Sequence, residues 1–269
     1  RPGGRVPTQW TLTLTPPPTS PVDPRHLHAL ACRLLETPAT DHTAPTKPFT
    51  AALDGHHLVL SLLDDFAFPE NLPFSPGTTV RLGSHTFHCS PHNHRSDPYA
   101  RLAACPPAVK ARVDFITPAY VKRSGRQLPL PDPELLLAGL ARRWTALSPL
   151  PLPSAAVAES LGAVHLARHD TRTRLFGQGS AQRVGFVGSA VFGLGERPSL
   201  SARRVFATLW SFAAFAGVGA QTTHGFGHVN VRLHHAAVPP GPDAGGVREE
   251  GTSPSRPDLT PDRTRNGAG

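Results

Sequence analysis

The stretch Gly217-Val218-Gly219-Ala220-Gln221-Thr222-Thr223-His224-Gly225-Phe226-Gly227-His228-Val229-Asn230-Val231 limits this chain more than any other. It reads as the end of a helix, a glycine-rich loop and the start of a strand. Upstream, Val205, Phe206, Leu209, Phe212, Ala213 and Ala216 recur every three or four residues, which predicts one buried helical face. Gly217 stands where a helix closes on a left-handed residue. Downstream, Val229, Val231 and Leu233 alternate with His228, Asn230 and Arg232, the period of a half-buried strand. Gly217, Gly219, Gly225 and Gly227 let the backbone approach a neighbour closely. The N–H groups of such a loop suit phosphate oxygens. A tight helix-to-strand turn is the alternative reading. The Lys-Ser/Thr ending of a nucleotide-binding P-loop is missing, and the loop follows a helix rather than a strand.

The charge pattern bears on what the loop meets. The net charge is +8 and the pI about 10.4, yet charged residues make up only 17% of the chain. Lysine occurs only at Lys47, Lys110 and Lys122, so the positive charge is almost all arginine. Arginine binds phosphate with two parallel donors and stacks on bases, so the balance points to nucleic acid. Residues 237–269 hold four Arg and five acids, leaving +9 on the body. That terminal segment is nearly free of apolar residues and is expected to be a disordered tail from residue 236.

Three cysteines, Cys32, Cys89 and Cys105, are too far apart for a disulfide framework or a metal knuckle. His85, His88, Cys89, His92 and His94 are dense, but on a strand His85 and His88 point to opposite faces. No metal site and no cofactor are expected. No apolar run reaches the ~18 residues of a membrane span, and the first residues do not read as a signal peptide, so a cytoplasmic protein is expected.

Two halves emerge along the chain. Trp10, Leu12 and Leu14 alternate with threonines, predicting a strand. Asp23-Pro24 opens a helix whose apolar face is Leu27, Leu30, Ala31 and Leu34. Strands follow around Leu58–Leu62, Thr79–Leu82 and Thr86–Cys89, with a short, proline-interrupted helix between Asp64 and Pro73. Cys105-Pro106-Pro107 marks a boundary. Beyond it lie a strand through Val113, Phe115 and Thr117, a basic loop from Pro118 to Arg126, and a helix opened by Asp132-Pro133-Glu134. Leu136, Leu137, Leu140, Trp144 and Leu147 face its core. A proline-rich link leads to strands near Ala163–Arg174 and Arg183–Phe192. The order approximates β-α-β-β-α-β twice. The expectation is an α+β protein of two tandem ferredoxin-like domains, residues 8–107 and 108–235, ahead of the tail.

Four blocks in this order resemble the CRISPR-associated endoribonuclease that processes repeat RNA, the sixth Cas family. They are the loop from Gly217 to Gly227; Thr117-Pro118 through Leu128-Pro129-Leu130-Pro131-Asp132-Pro133 to Arg142-Arg143-Trp144; Gly185-Phe186-Val187-Gly188; and His42 with Lys47-Pro48-Phe49-Thr50. The resemblance implies metal-independent RNA cleavage, in which the substrate 2′-hydroxyl attacks the adjacent phosphate and leaves a 2′,3′-cyclic phosphate and a 5′-hydroxyl. By context it implies His42 as the catalytic histidine and Lys47 as the group that stabilises the phosphorane. His28, beside the apolar stripe of the first helix, is the competing or second proton carrier. Histidine moves protons near neutral pH. RNA binding is assigned to Lys122, Arg123, Arg126, Arg142 and Arg143, with Gly217, Gly219, Gln221, Gly225 and Gly227 of the loop. Tyr120 is placed to stack on a base. The family often has Lys where Gln221 stands. Expected partners are CRISPR repeat RNA and other subunits of a CRISPR effector complex. A non-catalytic RNA-binding subunit of such a complex is the alternative.

Overall fold

The computed structural model describes residues 6–36, 44–64, 77–177, 182–195 and 197–235. The first half begins with β1 (Thr8–Thr15) and α1 (Pro24–Leu35). Asp23 caps α1, its carboxylate accepting from the Arg25 N–H, and Pro24 occupies the first turn, where no N–H is needed. Then come β2 (Phe49–Asp54), β3 (His57–Leu62), β4 (Thr78–Leu82), β5 (His85–Ser96) and α2 (Tyr99–Ala103). The five strands form one antiparallel sheet in the order β2-β3-β1-β5-β4. Trp10, Leu12 and Leu14 of β1 pack with Leu27, Leu30 and Leu34 of α1, as their two periodicities predict.

The second half comprises β6 (Ala108–Ala119), β7 (Val121–Arg123), β8 (Arg126–Leu128), α3 (Pro133–Leu147), α4 (Ser154–Ala163), β9 (Val164–Phe176), β10 (Arg183–Leu194), α5 (Leu200–Ala216) and β11 (Val229–His235). Its antiparallel sheet runs β11-β6-β10-β9. Trp144 of α3 is fully buried, with Tyr99 and Phe212 edge-on at 5.1 and 5.4 Å. Phe192 stacks on Trp210 at 4.7 Å. These aromatics dominate the core because each buries so much apolar area.

Four features differ from the sequence reading. β2 was not expected as a strand, although Asp54-Gly55 is a hairpin signal; Gly55 sits at φ 59° in the turn to β3. The basic loop from Pro118 to Arg126 includes most of the β7–β8 hairpin, turned through Ser124 and Gly125 at positive φ. α2 and α4 lie where a boundary and a proline-rich link were read; prolines before each obscured short helices. The helix expected between Asp64 and Pro73 falls almost wholly outside the described residues, as does the tail from residue 236. Among the described residues, no helix is long and apolar enough to cross a membrane.

The C-terminus of α5 joins the halves. Its last carbonyls lack helical partners, and side chains of the first sheet supply them. Gln9 Nε2 and Arg95 Nη2 donate to the Ala214 carbonyl at 3.1 and 2.7 Å, and Thr50 Oγ1 donates to Phe215 at 3.2 Å. Arg95 also lies over the Phe215 ring, 4.8 Å from its centroid. A cation at this end suits the helix dipole.

Candidate active site

The glycine loop begins at this junction. Gly217 ends α5 at φ 66°, its N–H bonded to Ala213. The next glycines answer to close approaches inside the protein. A Cβ at Gly219 would lie 2.4 Å from the Tyr120 carbonyl oxygen, and one at Gly227 only 1.9 Å from that of Val218. The N–H groups of Val218, Ala220 and Gly227 donate to Gly227, Tyr120 and Pro118, each at 2.9 Å. These three donors are thus spent in closing the loop on itself and holding it against the end of β6 rather than turned toward a phosphate. The Thr222 carbonyl accepts from Ala51 of β2, which ties the loop to the first sheet.

So held, the loop presents side chains. Gln221, at φ 56°, accepts the Tyr120 hydroxyl proton at 2.6 Å. Tyr120 is itself buried, edge-on to Phe226 at 5.3 Å, so the expectation that it stacks on a base fails: the ring belongs to the core under the loop. Gly225, at φ 98°, brings the loop onto α1, where a Cβ would meet Leu27 Cδ2 at 2.9 Å. Beside it His224 stacks on His28 of α1, centroids 3.9 Å apart and planes 9° from parallel.

The surroundings of the pair set its charge. Burial lowers the His28 pKa, with Lys47 adding to the effect; a hydrogen bond to the Thr223 backbone and the Glu36 carboxylate oppose it. Burial, then the neighbouring His28, pushes His224 down to about 4. Thr223 Oγ1 lies 2.9 Å from His224 Nδ1. Cys32, one turn beyond His28, sits 3.5 Å from Nε2; its thiol is raised to about 11 by burial first and Glu36 second, so it stays protonated. Lys47 is largely covered and pairs with Glu36 at 3.4 Å. Both rings are therefore neutral at pH 7, with a cation nearby.

His28, Lys47, Arg142, Gln221 and His224 line one open cleft of about 630 Å³. Of the residues expected at the site, Lys47, His28, Arg142, Gly219 and Gln221 line this one cleft. His42 lies outside the described residues. Arg143 borders the same cleft, but its guanidinium donates to the Ala216 carbonyl at the end of α5; burial lowers its pKa to about 10. Lys122, Arg123 and Arg126 stand exposed on the β7–β8 hairpin, outside the cleft lining, with Arg123 3.7 Å from Asp132. Gly225 and Gly227 are buried beneath the loop surface. The residue that sequence reasoning missed is His224. It stood inside the organising stretch without a role; its signal was its place directly before a glycine that only close packing explains. Among the described residues no three His, Cys, Asp or Glu side chains form a metal-ligating group; Cys89 is buried in the first core, and His92 meets His57 at 4.6 Å instead.

An antiparallel α+β protein with two large sheets and a histidine-lined cleft beside a glycine loop is the class these features define. The comparisons with known proteins are specific. The family model of the CRISPR-associated endoribonuclease Cas6 matches residues 113–229. The CRISPR-associated endoribonuclease Cas6 of Mycobacterium tuberculosis (strain CDC 1551 / Oshkosh) is 27% identical over 229 residues, 84% of this chain and 68% of that one. A product complex of a Thermus thermophilus Cas6 superposes with TM-score 0.66 at 27% identity, covering 85% of this chain and 99% of the other. A Cas6 substrate mimic complex gives TM-score 0.69 at 25% identity, over 84% and 99%. In sequence and fold the chain is similar to the Cas6 endoribonucleases.

Proposed function

We propose that this protein is an endoribonuclease that cuts CRISPR repeat RNA into guide RNAs, without a metal, by attack of a substrate 2′-hydroxyl on the adjacent phosphate. The carrying observation is the cleft that holds two neutral imidazoles and a lysine beside the glycine loop. The route needs a base for the 2′-hydroxyl proton, an acid for the 5′-oxygen and a cation for the phosphorane. His28 and His42, five residues before Lys47, carry the protons, and Lys47 neutralises developing charge. Arg142 on the cleft and Lys122, Arg123 and Arg126 on the hairpin hold the RNA backbone. Arg143 acts mainly through the end of α5.

The same reading takes each half as ferredoxin-like, residues 8–107 and 108–235. The order β11-β6-β10-β9, with α3 and α5 as crossovers, fits the β-α-β-β-α-β unit directly. In the first half β2-β3-β1-β5 follows the same order, with β4 added at the edge. The protein works in the cytoplasm, where repeat transcripts are made, and hands its product to other subunits of an effector complex.

The test is cleavage of end-labelled repeat RNA in excess EDTA, with product ends identified. The expected products carry a 2′,3′-cyclic phosphate and a 5′-hydroxyl. His28→Ala and His42→Ala should each slow the single-turnover rate by roughly 10²–10⁴-fold with little change in RNA affinity. Tight binding without any cut by the wild type would replace the enzyme by a non-catalytic RNA-binding subunit. Activity that disappears in EDTA would remove the metal-free route.

A further inference from the structure

The glycine loop spends much of its backbone on the protein itself, so its contribution to the site is the side chains it delivers. We propose that His224 is a positioning residue: its ring, stacked on His28, fixes the plane of that imidazole and excludes water from it, so that His28 serves as the general base. The proposal rests on the cleavage reading above and adds the assignment of the base.

Three observations support it. The stack is close and nearly parallel, 3.9 Å and 9°, and it exists because Gly225 lets the loop settle onto Leu27 of α1. The same loop fixes the other side of the proton arrangement, since the Thr223 backbone is hydrogen-bonded to His28. A neutral imidazole has one N–H and one lone-pair nitrogen, and the lone pair is what a base requires; Cys32 Sγ, 3.5 Å from Nε2, is the side chain that meets the ring from its own helix. Thr223 Oγ1 in turn fixes the His224 ring at Nδ1, so the positioning ring is itself held.

The charged and titratable groups around His28 come from every element that meets it. Cys32 lies on its own helix and Glu36 just past it. Lys47 precedes β2, His224 rides the loop, and Arg142 of α3 borders the cleft. Burial and Lys47 favour the unprotonated ring, while the Thr223 backbone and Glu36 oppose them. In the step itself, the 2′-hydroxyl proton passes to the lone-pair nitrogen of His28 as the 2′-oxygen–phosphorus bond forms. The bond from phosphorus to the 5′-oxygen breaks, and that oxygen takes a proton from the acid. No oxidant or cofactor enters the balance.

The experiment pairs histidine titration by NMR on the RNA-free protein with single-turnover cleavage of repeat RNA across pH. His224→Ala should uncover the His28 ring and so move its titration upward, since burial is the first cause that lowers it, carry the acid limb of the rate profile up with it, and lower the plateau rate about tenfold through lost alignment. His224→Phe restores a stacked ring without a second titrating group; it should bring back most of the rate and the wild-type acid limb. A His224→Ala protein whose His28 titration and rate profile match the wild type overturns the proposal. So does a His224→Phe protein as impaired as His224→Ala, which would make His224 a proton carrier in its own right. If the wild type never cuts repeat RNA, the cleavage reading fails, and the base assignment with it, even where the NMR coupling of the two rings is seen. If the wild type cuts and only the variants disagree, the positioning role alone is lost.

Discussion

Acid should loosen the junction between the two halves, and His228 allows the effect to be sized. Its main chain is fixed twice: the N–H donates to Thr117 Oγ1 at 2.9 Å, and the carbonyl accepts from Ile116 N–H at 2.9 Å. The residue lines a small pocket with Thr50 and Ala51 of β2 and Gly217 of the loop. Burial first, then the nearby Arg95 cation, pushes its pKa down to about 4, with Asp54 opposing. The unfolded chain takes up this proton near 6.5 and the folded one near 4, so the unfolded state binds more protons in between. The contribution is complete above pH 6.5 and is lost as pH falls toward 4. At pH 5 the linkage gives ~2 kcal/mol for full burial, and ~1–2 kcal/mol after allowing for the residue's partial exposure. The assay is urea unfolding of wild type and His228→Gln at pH 7.5 and 5.0. Glutamine keeps the main-chain bonds and removes the titration. Other ionising groups cancel in the difference, so the variant should lose ~1–2 kcal/mol less than wild type on acidification. Equal losses in the two proteins would refute the reasoning.

Three further outcomes are expected. RNA affinity should fall with salt at a log–log slope of roughly −3 to −4.5, for about five phosphates contacted, and Lys122→Ala or Arg126→Ala should each reduce that slope by about one; titrations at several salt concentrations check this. Gly227→Ala should cost ~3 kcal/mol or more in chemical denaturation, since a Cβ there meets the Val218 carbonyl oxygen at 1.9 Å from a left-handed backbone. Arg142→Ala should weaken RNA binding and the salt slope while leaving stability within ~0.5 kcal/mol, as for an exposed surface residue. Arg143→Ala should instead lower stability by ~1–3 kcal/mol by leaving the Ala216 carbonyl unpaired. Paired denaturation and binding curves separate the two.

Periodicity made much of the fold legible. β1, α1, β6, α3, α5 and β11 each carry an uninterrupted apolar face, and three of the helices have cap residues in the sequence: Asp23, Asp132 and Gly217. β2 and α4 were harder for opposite reasons. Phe49–Asp54 is buried along most of its length, so it lacks alternation, and Ser154–Ala163 is rich in alanine and follows Pro151 and Pro153, so it has little apolar contrast. The candidate site was legible in part. His28 and Lys47 could be named from their places around the first helix. The partnership of His28 with His224 could not, since 196 residues of chain separate them and only the closed junction brings them together. Tyr120 was misread because a tyrosine before a basic segment resembles a stacking platform; its hydroxyl partner, Gln221, lies 101 residues away.

Arg142 and Arg143, adjacent in sequence, take different places at the cleft. Successive positions on a helix point about 100° apart, so two adjacent arginines leave the helix in different directions. Trp144 fixes the rotation of α3 by filling the second core. That rotation leaves Arg142 exposed on the cleft and directs Arg143 to the end of α5. The C-terminus of α5 is where Gln9, Thr50 and Arg95 attach from the first sheet. The loop that carries His224 starts one residue after Ala216. Anything that loosens the end of α5 therefore moves His224 relative to His28, which sits on the other half. Stability of the junction and alignment of the proposed base are for this reason coupled through the end of α5. Variants that weaken the α5 carbonyl caps, Thr50→Val among them, should lower the cleavage rate before they lower RNA affinity, because the exposed arginines on the β7–β8 hairpin stay in place.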